Sequence, residues 1–194
     1  TQVLSILPGS RESEIRHLAG TFVDCMRVLA QKRPDLRFLI PFASDRVRQQ
    51  FLNLVSLEGF ADRVTLHDGQ ARLCLGASNG ALLASGTAAL EAALVGCPMV
   101  VAYRVSNLSY RIATALASTR TVSMPNHLMS APLVPEFLQH DANEGKLVPA
   151  IERLLDDDAA TQKMRQGLSL IQQDLNFDTN ARIVDAVLQM ARRR

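Results

Sequence analysis

The stretch best equipped for chemistry runs from Ala81 to Glu91, where an apolar segment breaks at Ser85-Gly86-Thr87 and resumes with helical character. Strand, tight turn and helix in that order leave the first helical N–H groups without intrahelical acceptors, at the positive end of the helix dipole. Such a turn suits a phosphate. Ser85 and Thr87 add hydroxyl donors. Glu91 follows Thr87 by one helical turn, so its carboxylate can stand on the same face and accept hydrogen bonds from a sugar diol. Together these features suggest a nucleotide-sugar site. Pro8-Gly9-Ser10-Arg11 marks a second strand-turn-helix with a cation at its tip. Contact with the same ligand is one reading, and a plain turn with a solvated Arg11 is the other.

Other chemistries lack their residues. Ser85-Gly86-Thr87 has the wrong pattern for the Gly-x-Ser-x-Gly elbow of a nucleophilic triad, and neither Gly-x-Gly-x-x-Gly nor a P-loop Gly-Lys-Ser/Thr is present. His17, His67, His127 and His140 are scattered without metal-ligand spacing, so no metal is expected. Cys25, Cys74 and Cys97 show no Cys-x-x-Cys pattern and read as buried free thiols of a reducing compartment. The 21 Lys and Arg against 19 Asp and Glu make no electrostatic case for nucleic acid. Arg192-Arg193-Arg194 reads as a solvated tail, with a lipid or partner contact as the alternative. No segment approaches the roughly 20 apolar residues of a membrane span. A cytoplasmic location is expected. Because Thr1 opens directly on a β-like run without an initiator Met, the chain reads as a piece of a longer protein.

Alternating short apolar runs and amphipathic helices must position the two turns. Strands are expected at Gln2 to Leu7, Leu36 to Phe42, Arg63 to Leu66, Ala81 to Ala84 and Met99 to Tyr103, and a last short one at Thr121 to Met124. The first helix runs to about Arg33 with Ser10 as its N-cap candidate, carrying Ile15, Leu18, Phe22, Cys25, Met26 and Leu29 inward. A polar helix follows from Asp45 to about Leu57, ended at Gly59. Further helices are expected at Ala71 to Ala77, Thr87 to Val95 and Ser106 to Ser118. His67-Asp68-Gly69-Gln70 reads as a loop at the carboxyl end of the third strand. Pro125 to Pro132 holds too many breakers for either element. Leu133 to Leu138, Glu144 to Leu155, Ala159 to Leu175 and Asp178 to Arg193 read as a helical tail. The fold class is therefore α/β, a doubly wound, Rossmann-like parallel sheet with helices on both faces and a helical C-terminal tail. Residues 1–140 would form the nucleotide-sugar-binding domain and residues 141–194 a tail packed on it or crossing to another domain.

Several motifs in order carry a resemblance over nearly the whole chain. Leu7-Pro8-Gly9-Ser10-Arg11 with Glu14-Ile15, Ala84 to Glu91, Pro98 to Arg104, Val122 to Asn126 and Leu133 to Gln139 resemble the carboxyl-terminal half of lipid-A-disaccharide synthases. The resemblance implies half of a two-domain GT-B glycosyltransferase that holds a UDP-sugar donor. A missing amino-terminal half would supply the lipid acceptor site and the general base, so no catalytic residue is expected in this half. By similarity, Gly9, Ser10, Arg11, Ser85, Gly86 and Thr87 would face the pyrophosphate and Glu91 the ribose. The loop of His67, Asp68, Gly69 and Gln70 would lie near uracil, and Asn126 joins the binding set. The full enzyme would join UDP-2,3-diacylglucosamine to 2,3-diacylglucosamine 1-phosphate with inversion, releasing UDP. The UDP-sugar is its substrate, and no cofactor is implied. A peripheral position on the inner face of the cytoplasmic membrane fits such a reaction.

Two stretches depart from the family pattern. Asn126-His127-Leu128-Met129-Ser130-Ala131-Pro132 stands where the family reads Asn-Leu-Ile/Leu-Ala-Gly-Arg-Glu, and Ala113 to Ala117 replaces a basic cluster. A related GT-B transferase or a UDP-sugar epimerase is the enzyme alternative. A non-catalytic module that dimerises through Ile183, Val184, Val187 and Leu188 is the non-enzyme one.

Overall fold

The computed structural model describes residues 1–106, 110, 121–175, 184 and 189. Six parallel strands form one sheet in the order β3-β2-β1-β4-β5-β6. They are β1 (Val3–Leu7), β2 (Arg37–Phe42), β3 (Val64–Asp68), β4 (Gly80–Ala84), β5 (Met99–Tyr103) and β6 (Glu136–Leu138). All five residues of β4 are buried, as expected of a parallel strand covered on both faces. The helices are α1 (Glu12–Lys32), α2 (Asp45–Leu54), α3 (Ala71–Gly76), α4 (Thr87–Leu94), α5 (Met124–Leu128), α6 (Glu144–Asp156) and α7 (Asp158–Leu175). Helix α1 packs against α2 and α6 on one side of the sheet, while α4 packs against α3, α5 and α7 on the other. The doubly wound reading therefore holds.

The first three strands wind outward from β1 in one direction and the next three outward from β4 in the other, so β1 and β4 flank the topological switch point. Leu7 lies in register with Leu83 there. Ligands of open parallel sheets collect at this crevice, beyond the carboxyl ends of the strands. The turns after β1 and β4 are the two that border it.

Several local expectations give way to tertiary contacts. Leu133 to Leu138 is not a helix, because Glu136–Leu138 adds to the sheet as β6 beside Val101 to Tyr103. Two prolines, Pro132 and Pro135, frame the approach and disfavour helix for the residues before them. Thr121 to Met124 is not a strand. Ser123 instead caps the single turn α5, accepting from the Asn126 N–H, and Pro125 fits its first turn. The N-cap of α1 is Arg11, one residue after Ser10. Helix α2 ends at Leu54, and Gly59 turns the chain with φ +88° before β3. His67 and Asp68 are strand residues rather than loop. The helix expected from Ser106 to Ser118 and the one from Asp178 to Arg193 lie largely outside the described residues, as do Ile183, Val187 and Leu188; Val184 is exposed.

Candidate functional site

At the first turn, β1 delivers the chain to Gly9, whose φ of +131° favours glycine, and a Cβ there would stand 2.5 Å from Glu14 Cβ. The close approach lets Glu14, in the first turn of α1, reach back over the loop. Its Oε2 accepts the N–H of Ser10 at 2.9 Å and that of Arg11 at 3.3 Å. These two loop N–H groups already bind a carboxylate. The Arg11 side chain is 80% exposed and lies 3.6 Å from Glu14 Oε1, a contact weak enough for the guanidinium to turn to an incoming anion.

The second turn is built differently. Ser85 is held at both ends, its N–H donating to the Ala102 carbonyl at 2.9 Å and its hydroxyl to the Val122 carbonyl at 2.7 Å. Its one hydroxyl proton is thus engaged within the protein. Gly86 is the N-cap of α4, whose first backbone bond runs from the Ala89 N–H to the Gly86 carbonyl. The N–H groups of Gly86, Thr87 and Ala88 find no acceptor among the described residues. They are the orphan donors of a helix start, at the dipole's positive end.

One cleft of about 240 Å³ joins the two turns. It is lined by Gly9, Ser10, Arg11 and Glu14 from the first loop, Pro41 to Ala43 after β2, Gly69 to Ala71 after β3, and Ser85 to Ala88 with Glu91 from the second turn. Of the residues singled out in the sequence, the structure brings Gly9, Ser10, Arg11, Gly69, Ser85, Gly86, Thr87 and Glu91 to this wall. His67, Asp68 and Asn126 do not line it. Asp68 pairs with Arg48 at 2.9 Å, fastening α2 to the sheet. Asn126 is buried, and its amide bonds the main chain at Leu133 and Val134 as well as Glu136.

Glu14 lines the cleft without a site role expected from the sequence, and Gln70, from the loop expected near uracil, lines it too. The spacing of Glu14 from Arg11 is that of an N-cap and N3 pair, a signal that a capping-box search would have raised. Gln70 adopts φ +59° at the start of α3, a left-handed conformation set by the turn after β3 with no sequence signature of its own. The three thiols take no part in the cleft. Burial pushes Cys25 and Cys97 up to about 12 and Cys74 upward, which keeps them protonated and poor nucleophiles. Among the described residues no three His, Cys, Asp or Glu side chains gather as a metal site, and no helix is long and apolar enough to cross a membrane.

Comparison with known proteins assigns the family. The family model for lipid-A-disaccharide synthetase matches residues 1–189. The lipid-A-disaccharide synthase of Serratia proteamaculans is 37% identical over 189 residues, covering 97% of this chain and 50% of the relative. That of Pseudomonas savastanoi is 41% identical over 188 residues, covering 97% and 48%. The chain spans about half the length of these relatives. Among solved structures, a calicheamicin glycosyltransferase superposes with a TM-score of 0.61 at 19% identity, covering 100% of this chain and 44% of its own. A UDP-GlcNAc 2-epimerase from Neisseria meningitidis, solved with UDP-GlcNAc, gives 0.57 at 20% identity over 90% and 44%. These two likenesses concern the fold, which is that of one half of a GT-B enzyme. With the family model spanning nearly every residue and relatives above one-third identity along the same stretch, the chain belongs to the lipid-A-disaccharide synthetase family.

Proposed function

We propose that this chain is the donor-binding half of a lipid-A-disaccharide synthase, and that the switch-point cleft holds the UDP of a UDP-2,3-diacylglucosamine donor. The observation that carries the reading is the meeting, in one cleft, of an α4 start with free N–H groups, an exposed Arg11 and Glu91 one turn further along. In this reading the pyrophosphate lies against Gly86, Thr87 and Ala88, Arg11 swings from Glu14 to its second phosphate, and Glu91 accepts from the ribose hydroxyls. Uracil rests by Gly69 and Gln70. The UDP-GlcNAc complex of the similarly folded epimerase supports a UDP-sugar as the ligand class.

The chemistry is an inverting displacement at the donor's anomeric carbon by a hydroxyl of 2,3-diacylglucosamine 1-phosphate. As the bond to UDP breaks, negative charge grows on the departing phosphate oxygen. The α4 dipole and Arg11 are aimed at that charge and need no cofactor to stabilise it. The base and the acceptor site belong to the remainder of the enzyme, which would work as a peripheral protein on the cytoplasmic face of the membrane. The isolated chain should bind UDP and turn nothing over. Calorimetric titration of UDP into the wild type and Glu91→Ala tests the reading: about tenfold weaker binding is expected for the variant, the loss of a hydrogen bond to a charged group. Equal binding by both would remove Glu91 from the ribose.

A further inference from the structure

We propose that Glu136 is a positioning residue of the donor site, acting through the Val122 carbonyl on Ser85 and thereby on the N–H groups at the start of α4. The inference rests on the donor-site reading above. Glu136 opens the edge strand β6, level with Val101 on β5 and, through it, with Leu83 on β4, two residues short of Ser85. It does not line the cleft. Its carboxylate is half-buried and pairs with no cation among the described residues. Instead it takes four neutral donors. Oε2 accepts the Val122 N–H at 2.8 Å, while Oε1 accepts the Ser123 N–H at 3.0 Å, the Ser123 hydroxyl at 2.5 Å and the Asn126 amide at 2.7 Å.

A half-buried carboxylate without a cation is accommodated by the donors around it, and they in turn lose their freedom. Residues 122–126 are thus fixed to the sheet by one side chain. Asn126 closes the loop from the other end, its Oδ1 accepting the N–H groups of Leu133 and Val134. Among the described residues, one hydrogen bond joins this arrangement to the donor turn. The Val122 carbonyl receives the Ser85 hydroxyl at 2.7 Å. Ser85 immediately precedes Gly86, so the rotamer and backbone of Ser85 set where the Gly86, Thr87 and Ala88 N–H groups point. A carboxylate on the edge strand therefore governs a phosphate grip two strands away, across β5. If Glu136 served only to hold the loop, its removal would lower stability and leave the affinity of the folded protein for UDP unchanged.

A double-mutant cycle on this chain separates the two roles, with UDP affinity read by calorimetry and melting temperature without ligand. Glu136→Gln substitutes one acceptor and an NH2 donor for two acceptors and cannot satisfy both Val122 and the Ser123–Asn126 group. Glu136→Gln and Ser85→Ala are each expected to weaken UDP binding about fivefold to tenfold, and the double variant no more than the weaker single one, as for two links of one relay. Should Glu136→Gln fail to fold, Glu136→Asp takes its place, keeping the charge but retracted by one methylene. Wild-type affinity in the Glu136 variant, or effects that multiply in the double variant, would overturn the relay while the donor site stands. Absence of UDP binding by the wild type would overturn the donor-site reading and the relay together.

Discussion

At the scale of single residues, the cleft separates groups that resemble one another in sequence. Ser10, Ser85 and Thr87 all precede or begin helices, yet the Ser85 hydroxyl is spent on Val122, and the Gly86, Thr87 and Ala88 N–H groups have no acceptor among the described residues whereas those of Ser10 and Arg11 do. At the first turn Glu14 already occupies the Ser10 and Arg11 N–H groups, and the exposed Arg11 side chain is the charged group that loop offers an anion. Arg11→Ala should weaken UDP binding by about 1.5 kcal/mol, the low end of a charge-assisted hydrogen bond because the guanidinium is well exposed. The loss should shrink as salt rises from 50 to about 500 mM, since exposed charges are screened. A salt-independent loss in the titration would point to packing rather than charge. Spacing alone puts Gly86, Thr87, Arg11 and Glu91 at helix starts or one turn beyond, and all four line the cleft. The hydrogen bonds of Glu14 and Glu136 have no such signal, because each carboxylate meets main-chain groups whose orientation depends on the folded loop.

At the scale of elements, the helices that cover the sheet were legible from periodicity, and α2 shows how little apolar surface such a helix needs. Phe51 is fully buried with its ring 5.3 Å from that of Phe42, whereas Leu54 on the same helix is 49% exposed. Phe51→Ala should therefore destabilise the chain by about 3–5 kcal/mol, and Leu54→Ala by no more than about 0.5 kcal/mol, measured by urea unfolding. Similar losses at both positions would mean that α2 is seated differently. From Thr121 to Leu138 local patterning reads a strand, a breaker-rich stretch of neither element and a helix, whereas the chain forms α5 at Met124–Leu128 and β6 at Glu136–Leu138. The order of this segment depends on bonds between residues as far apart as Val122 and Glu136, and no local window contains both partners. Gly9 illustrates a different limit. A turn was evident, but the need for glycine comes from the Glu14 side chain crossing above it.

For the whole molecule, one doubly wound sheet carries the cleft at its carboxyl edge and a core in which the cysteines are inert. Burial, with smaller contributions from Glu144 and Asp24, holds the Cys25 thiol at about 12, and burial holds Cys97 there against the opposing pull of Arg165. Because these folded values lie above the ordinary 9.0, stability is unaffected below pH 9 and falls between about 9 and 12, where only the unfolded chain ionises. Between pH 8 and 10 the wild type should lose about 2–3 kcal/mol more than a Cys25→Ala, Cys97→Ala variant, as read from urea midpoints at each pH. Equal losses would mean that the thiols ionise in the native state. By itself the sequence determined the fold class, the two strand-turn-helix units and the family, because apolar periodicity, turn residues and motif order are properties of neighbouring residues. Only the tertiary structure decided that the two turns flank one switch point, that β6 is a strand, and which polar groups near the cleft are free and which are already engaged. Those outcomes follow from strand order and from hydrogen bonds between distant segments, whose partners meet only when the sheet is assembled.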